Sequence, residues 1–283
     1  MLSQVIFEGL VMGTVYALIS MGIALVWGVT NILSFVQGNF LMMSMYITYY
    51  FSMVSGLDPL LLIPTVMVVM FLFGMLVYKL MIHKALQGPR LSQRLITFAL
   101  GMVITNMVLM TIGGQYKKVP NLIFQGSIDL GFIIVGKEKM IPLIVSLITT
   151  AILFLFLNYT RTGKSIRATA QDKEAAGLMG INTDRAFMLA FALSTAIAGA
   201  AGCALSYYYY IYPTVGDTFQ IFGFIAVCIG GFGSVEGAFF AGILIGLVDL
   251  VAGTYLSTAY KYVIISLFFM LIVSFKPKGL FNR

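Results

Sequence analysis

Charge is scarce in this chain. Of its 283 residues only 10% are Asp, Glu, Lys or Arg, whereas 60% are hydrophobic. A water-soluble globular surface needs roughly a quarter charged residues, so that class of fold is excluded. Histidine is nearly absent: His83 stands alone, which removes multi-His metal sites and paired-His catalysis. There is no HExxH, no GxSxG elbow and no pair of catalytic carboxylates, so no catalytic or metal-ligating residue is assigned. The two cysteines, Cys203 and Cys228, both sit in apolar segments and read as small hydrophobes rather than a disulfide. No Lys or Arg precedes Lys79, so the first apolar segment lacks the basic start of a signal peptide. It is expected to be a retained span with its amino terminus outside.

What remains is a series of long apolar runs. A helix needs about 20 such residues to cross a bilayer. Expected spans cover Val5 to Gly28, a second one to about Val54, Asp58 to His83, Leu95 to Ile112, Met140 to Tyr159, Ala186 to Tyr208, Glu236 to Leu256 and Tyr260 to Phe275. Between them Phe219 to Phe232 is short and either crosses tilted or re-enters. The IDLGFIIVGK stretch is expected to be a small extended excursion. The fold class is an all-α polytopic membrane protein of about eight or nine helices, one domain over 1–283, with broken or re-entrant segments. Placing 79–94, 160–185 and 276–283 inside puts twelve Lys or Arg there, against five outside (Lys117, Lys118, Lys137, Lys139, Lys261). The net charge of +7 therefore reads as the positive-inside bias rather than as nucleic-acid affinity. Nine crossings then leave the carboxyl end inside.

The exception to this apolar character is Thr160 to Arg185, which holds five of the seventeen basic residues and three of the ten acids. Its Gly163-Lys164-Ser165 invites a nucleotide-binding reading. A phosphate loop needs a further glycine five positions before Gly163, and that position is Asn158. No nucleotide is expected on this chain.

The segment SIRATAQDKEAAGLMGI resembles the cytoplasmic loop of permease subunits of ATP-binding-cassette importers, in the version of the branched-chain amino acid permeases. GTVYALISMGIALVWGVTNILSFVQGNF (13–40) resembles that family's first signature, IGGFGSVEGAFFAGILIGLV (229–248) its Gly-rich late one, and PKGLF (277–281) its tail. The resemblance implies that Arg167, Gln171, Asp172, Glu174, Ala175, Ala176, Leu178, Met179 and Gly180 form a short coupling helix seated in a groove of a separate ATPase. Residue chemistry agrees: Ala175, Ala176 and Gly177 permit close contact, and Gly180 suits a helix end. The resemblance further implies a second permease chain, two cytoplasmic ATPases that carry ATP and Mg, an external solute-binding protein and a bacterial-type plasma membrane. The substrate would be a branched-chain or other neutral amino acid, with urea or a short amide as the alternative.

The first signature departs from the family pattern, which usually has Asn-Phe-Ala-His-Gly-Glu. Here Gln37 and Asn39 replace its His and Glu. Interrupted helices at membrane depth survive inside protein or beside a water-filled path. Tyr16, Asn31, Ser34, Gln37 and Asn39 near the first interruption, Asn106 in the fourth span, and Gly230, Gly231 and Ser234 at the later one are the candidates for lining a substrate path. Glu8 and Asp249 are the acids within spans, and each is a functional candidate by default. An ion-gradient carrier is the competing class, and it would be expected to show a chain of intramembrane acids longer than these two.

Overall fold

The first apolar run folds as one helix, α1 (Leu2–Thr30), slightly longer than the expected span. In the computed structural model, which describes residues 2–86, 88–120, 123, 126–129, 134–256, 260–276 and 279–281, α1 is the axis of a helical bundle. At 1.5 Å per residue it is about 44 Å long, more than a ~30 Å hydrocarbon core. From Gly9 to Val26 nearly every side chain is buried, because helices pack on all its sides. A helix apolar all round belongs at such a centre.

Small residues set how close those neighbours come. Gly9, Gly13 and Ala17 meet α11 (Val235–Tyr255) at Leu247, Gly246 and Gly242. A Cβ on Gly246 would lie 2.1 Å from Gly13 Cα, and one on Gly242 2.4 Å from Ala17 Cα. The start of α11 and the loop before it meet other partners: Gly237 backs onto Gly230 and Phe281, while Gly233 lies against Gly28.

The remaining elements wrap this pair. After a non-helical link at 31–36, α2 (Gln37–Ser55) begins inside the bundle, since the Gln37 side chain reaches Ser194, midway along α9 (Thr183–Leu205). The expected break between Gly28 and Gly38 is thus present. Asp58 caps α3 (Pro59–Val77), accepting from Leu60 N at 2.8 Å. A π-helical turn (Tyr78–Ile82) and α4 (His83–Ala85) prolong it. α5 (Arg90–Ile112) lies on the periphery. A two-stranded hairpin, β1 (Ser127–Asp129) with β2 (Ile134–Gly136), confirms the extended excursion; residues 130–133 lie outside the described set. α6 (Lys137–Tyr159), α7 (Arg161–Gln171), α8 (Lys173–Leu178), α10 (Val215–Gly230) and α12 (Tyr260–Phe275) complete the order.

Among the described residues six helices are long and apolar enough to cross a membrane, namely Leu2–Thr30, Pro59–Ala85, Leu91–Ile112, Lys137–Tyr159, Thr183–Leu205 and Val235–Tyr255, while α10 and α12 are apolar but shorter. The more polar α2 packs among these helices, and the bundle has two opposite faces. One face carries the amino end and the 113–120 loop, where Lys117 pairs with Ile211. The other carries α7, α8 and the chain near Gly279–Phe281, where Leu280 N donates to Ile229 O at 2.8 Å. The tail residues Pro277, Lys278 and Arg283 lie outside the described set.

Both acids within spans have partners that spacing alone did not reveal. Glu8 pairs with Lys139 at 2.6 Å, and both are part-exposed. Asp249 is buried, accepts from Tyr16 Oη at 3.0 Å and lies 3.1 Å from Lys261 Nζ, an ion pair lacking hydrogen-bond alignment. Of α12 only Ile265 is fully buried, so this pair is a main tie between α12 and the bundle. Lys261→Met should strand Asp249 and cost about 3 kcal/mol, whereas the double change Asp249→Asn with Lys261→Met should recover most of it. Thermal unfolding in detergent measures both, and equal losses in single and double variants would refute the tie.

Candidate functional site

Two places on this scaffold have functional geometry. The first is a cavity of about 450 Å³ between α2, α5 and α10. It exists because α2 and α10 both begin in the bundle interior. Their first turns touch at Gly38 and Gly216, each of which has the other's carbonyl where a Cβ would stand. Gln220 locks the joint: its Oε1 accepts from Gly38 N at 2.7 Å and its Nε2 donates to Ser34 O at 3.2 Å. The peripheral helix α5 closes the third side, held by Asn39 Nδ2, which donates to Gly101 O (3.1 Å) and Thr105 Oγ1 (2.7 Å). Phe35, Phe98, Met102 and Ile221 supply apolar wall, and Asn39, Thr105, Asn106, Asp217 and Gln220 supply polar groups.

The second place is the polar hairpin. Thr160 caps α7 by accepting from Gly163 N at 2.9 Å. Gly163, which a phosphate-loop reading would use for phosphate, instead lets α7 lie on α6: a Cβ there would come 2.2 Å from Phe156 O. Asp172 ends α7 and caps α8, its Oδ1 accepting from Glu174 N (2.9 Å) and Ala175 N (3.0 Å). Gly180 ends α8 in the left-handed region (φ 81°), with Ile181 N donating to Ala176 O and Gly180 N to Gly177 O, the two bonds of a Schellman motif. Between these caps only Ala176 is buried; it seats the helix while Glu174, Ala175, Gly177, Leu178 and Met179 stand free. Leu178 is 90% exposed and Met179 83%. Arg167 and Gln171 are exposed on α7, with Arg167 Nη1 donating to Asn158 Oδ1 at 2.7 Å.

The path candidates separate. Asn39 and Asn106 line the cavity. Ser34 touches its rim through its carbonyl, while its buried hydroxyl has no partner among the described residues. Gln37 lies in the core, its amide bonded to Ser194 O (2.7 Å) and Ser194 Oγ (3.1 Å). Tyr16 is the Asp249 partner, and Asn31 stands exposed at the end of α1 with φ 54°. Gly230 and Gly231 form the later interruption, Gly231 at φ 105°. Ser234 caps α11 by accepting from Gly237 N at 3.0 Å and lines a smaller cavity of about 220 Å³ with Arg167, Asn158 and Glu236. Asp217 and Gln220 were not among the sequence-derived candidates, and the apolar segment expected from Phe219 excluded Asp217. Helix α10 in fact starts at Val215. An acid directly before an apolar run was the available signal.

A polytopic helical body with a side cavity among its helices and a capped, bare helix on one face is the architecture of a membrane transport subunit. Residues 5–273 match the family described as Branched-chain amino acid transport system / permease component. The chain belongs to that family, as its signatures implied, and so to the permeases of ATP-binding-cassette importers. It is 31% identical over 294 residues to the High-affinity branched-chain amino acid transport system permease protein LivH of Escherichia coli (strain K12), covering 99% of this chain and 95% of that protein. BraD of Pseudomonas aeruginosa, named likewise, is 26% identical over 294 residues with the same coverage. A probable LivH of Methanocaldococcus jannaschii is 26% identical over 267 residues, 91% of this chain and 83% of that one. No solved structure matches the chain.

Proposed function

We propose that this chain is the membrane-spanning subunit of an ATP-driven importer and carries branched-chain and other neutral amino acids across a bacterial-type plasma membrane. The observation that carries the reading is α8, capped at both ends and presenting Leu178 and Met179 to water. Exposed apolar side chains on a rigid, polar-flanked helix mark a docking surface. Two cytoplasmic ATPases, which bind the ATP and Mg, occupy that surface on two permease chains, this one and a homologue or second copy. The α7–α8 face is then cytoplasmic, the amino end is outside, and a solute-binding protein delivers substrate to the opposite face. Closure of the ATPases moves α8, and the interruptions at 31–36 and 231–234 absorb the motion. The ion-gradient carrier is disfavoured because Glu8 and Asp249 are each paired with a lysine, which leaves Asp217 as a single carboxylate and not a relay of acids.

Vesicles carrying the complete transporter should accumulate leucine only when ATP and the substrate-loaded binding protein are both supplied. Uptake that follows a proton or sodium gradient without ATP would overturn the class. Uptake of urea or short amides in place of leucine would overturn the substrate while leaving the class intact.

A further inference from the structure

The cavity between α2, α5 and α10 is lined by amide, hydroxyl and carboxylate oxygens, and each of its amide nitrogens gives at least one hydrogen to a neighbouring oxygen. Asn39 Nδ2 is spent on Gly101 O and Thr105 Oγ1, Asn106 Nδ2 is bonded to Met102 O at 2.8 Å, and Gln220 Nε2 to Ser34 O. Each orientation is forced, because a backbone carbonyl only accepts and the Gly38 N–H held by Gln220 Oε1 only donates. Among the described residues no Lys, Arg or His lines the cavity, and the one charged group lining it is Asp217. Asp217 is exposed in the first turn of α10, and among the described residues no cation lies within ion-pair distance of it. It is also deep. Phe219, two positions on, packs against Tyr16 at the midpoint of α1 with ring centroids 5.5 Å apart. A carboxylate at that depth is costly against lipid, and such groups mark substrate pathways.

We propose that this cavity receives the α-ammonium group of the transported amino acid, with Asp217 as its counter-charge. An ammonium brings three donors and no acceptor, which suits a lining whose one charged group among the described residues is a carboxylate and whose Asn39, Thr105, Asn106 and Gln220 side chains carry further oxygens. The remaining lining of Phe35, Phe98, Met102 and Ile221 suits an apolar side chain, and the volume of about 450 Å³ is within the range of small-ligand sites. The cavity selects for a free amino group beside an apolar substituent. It gives no advantage to a deaminated 2-oxo acid. The assignment rests on the amino-acid permease reading above.

The complete transporter in vesicles, fed by leucine-loaded binding protein, tests it. Asp217→Asn should lower leucine uptake by roughly 10- to 100-fold, the scale of a lost charge-assisted hydrogen bond at a desolvated site. Asp217→Glu should restore most of the rate, and both variants should co-purify with the ATPases and unfold at the wild-type temperature. Wild-type uptake by Asp217→Asn overturns the assignment while leaving the importer reading standing. Equal losses in the Asn and Glu variants also overturn it, because they indicate a packing role. A wild-type transporter that moves no amino acid removes both.

Discussion

Replacing Leu178 and Met179 together with aspartate should abolish coupled transport while leaving the permease itself folded. Both side chains are almost fully in water, so the isolated subunit loses no buried contact, and its unfolding temperature should stay at the wild-type value. In the assembled importer as proposed, the same side chains fill a groove on the ATPase. Central apolar anchors of that kind contribute about 2 kcal/mol or more each, and a buried unpaired carboxylate adds a desolvation penalty. A combined loss of about 4 kcal/mol corresponds to roughly a thousandfold weaker association. Co-purification of the ATPase, binding-protein-stimulated hydrolysis and uptake should therefore fail together. A double variant that still couples hydrolysis to uptake would show that α8 is an ordinary solvated loop and remove the central support for an externally driven permease. Alanine at Leu178 alone should give an intermediate effect, because truncation removes contact area without burying a charge.

How readily these features could be read in advance depended on whether the signal was local. The hairpin at Thr160 to Arg185 announced itself because it is polar between apolar runs, and its caps at Asp172 and Gly180 follow from side-chain and glycine chemistry that needs no tertiary context. The interruptions at 31–36 and 231–234 were legible for the same reason: polar or glycine residues break an apolar helix pattern. Gln37 and Asn39 carried identical local signals and met different fates. One is satisfied in the core by Ser194, and the other tethers α5 at the cavity. Which neighbour an amide meets is decided by helix packing, and no window of sequence contains that information. Asp217 was hidden by Pro213 and Gly216, whose turn chemistry masked a helix start. The Asp249–Lys261 pair was hidden because its two members sit on separate helices, α11 and α12, which only packing brings together.

Gly246→Leu should prevent the folded bundle from accumulating, and it tests the axis on which both candidate sites depend. The obstruction is backbone against backbone: a Cβ at 246 would come 2.1 Å from Gly13 Cα and 2.7 Å from Gly9 O. Neither atom can rotate aside as a side chain could, so α1 and α11 must separate along a contact that also places Ser20 Oγ 2.8 Å from Ala238 O. Ordinary overpacking costs about 1–3 kcal/mol, and displacement of two central helices is expected at the top of that range or above. With net stabilities of only about 5–15 kcal/mol, the loss should show as a sharp fall in both membrane abundance and unfolding temperature. Gly177→Ala supplies the opposite sign. Its Cβ would meet nothing within 4 Å, and an exposed helical alanine is favoured over glycine by roughly 0.5–1 kcal/mol, so thermal stability should hold or rise slightly. If Gly246→Leu behaves like Gly177→Ala in fluorescence-detected size exclusion and thermal melts, the α1–α11 contact is looser than described. The mid-depth cavity, whose α10 wall is fixed to α1 through Tyr16 and Phe219, would then lack the rigid frame that positions Asp217.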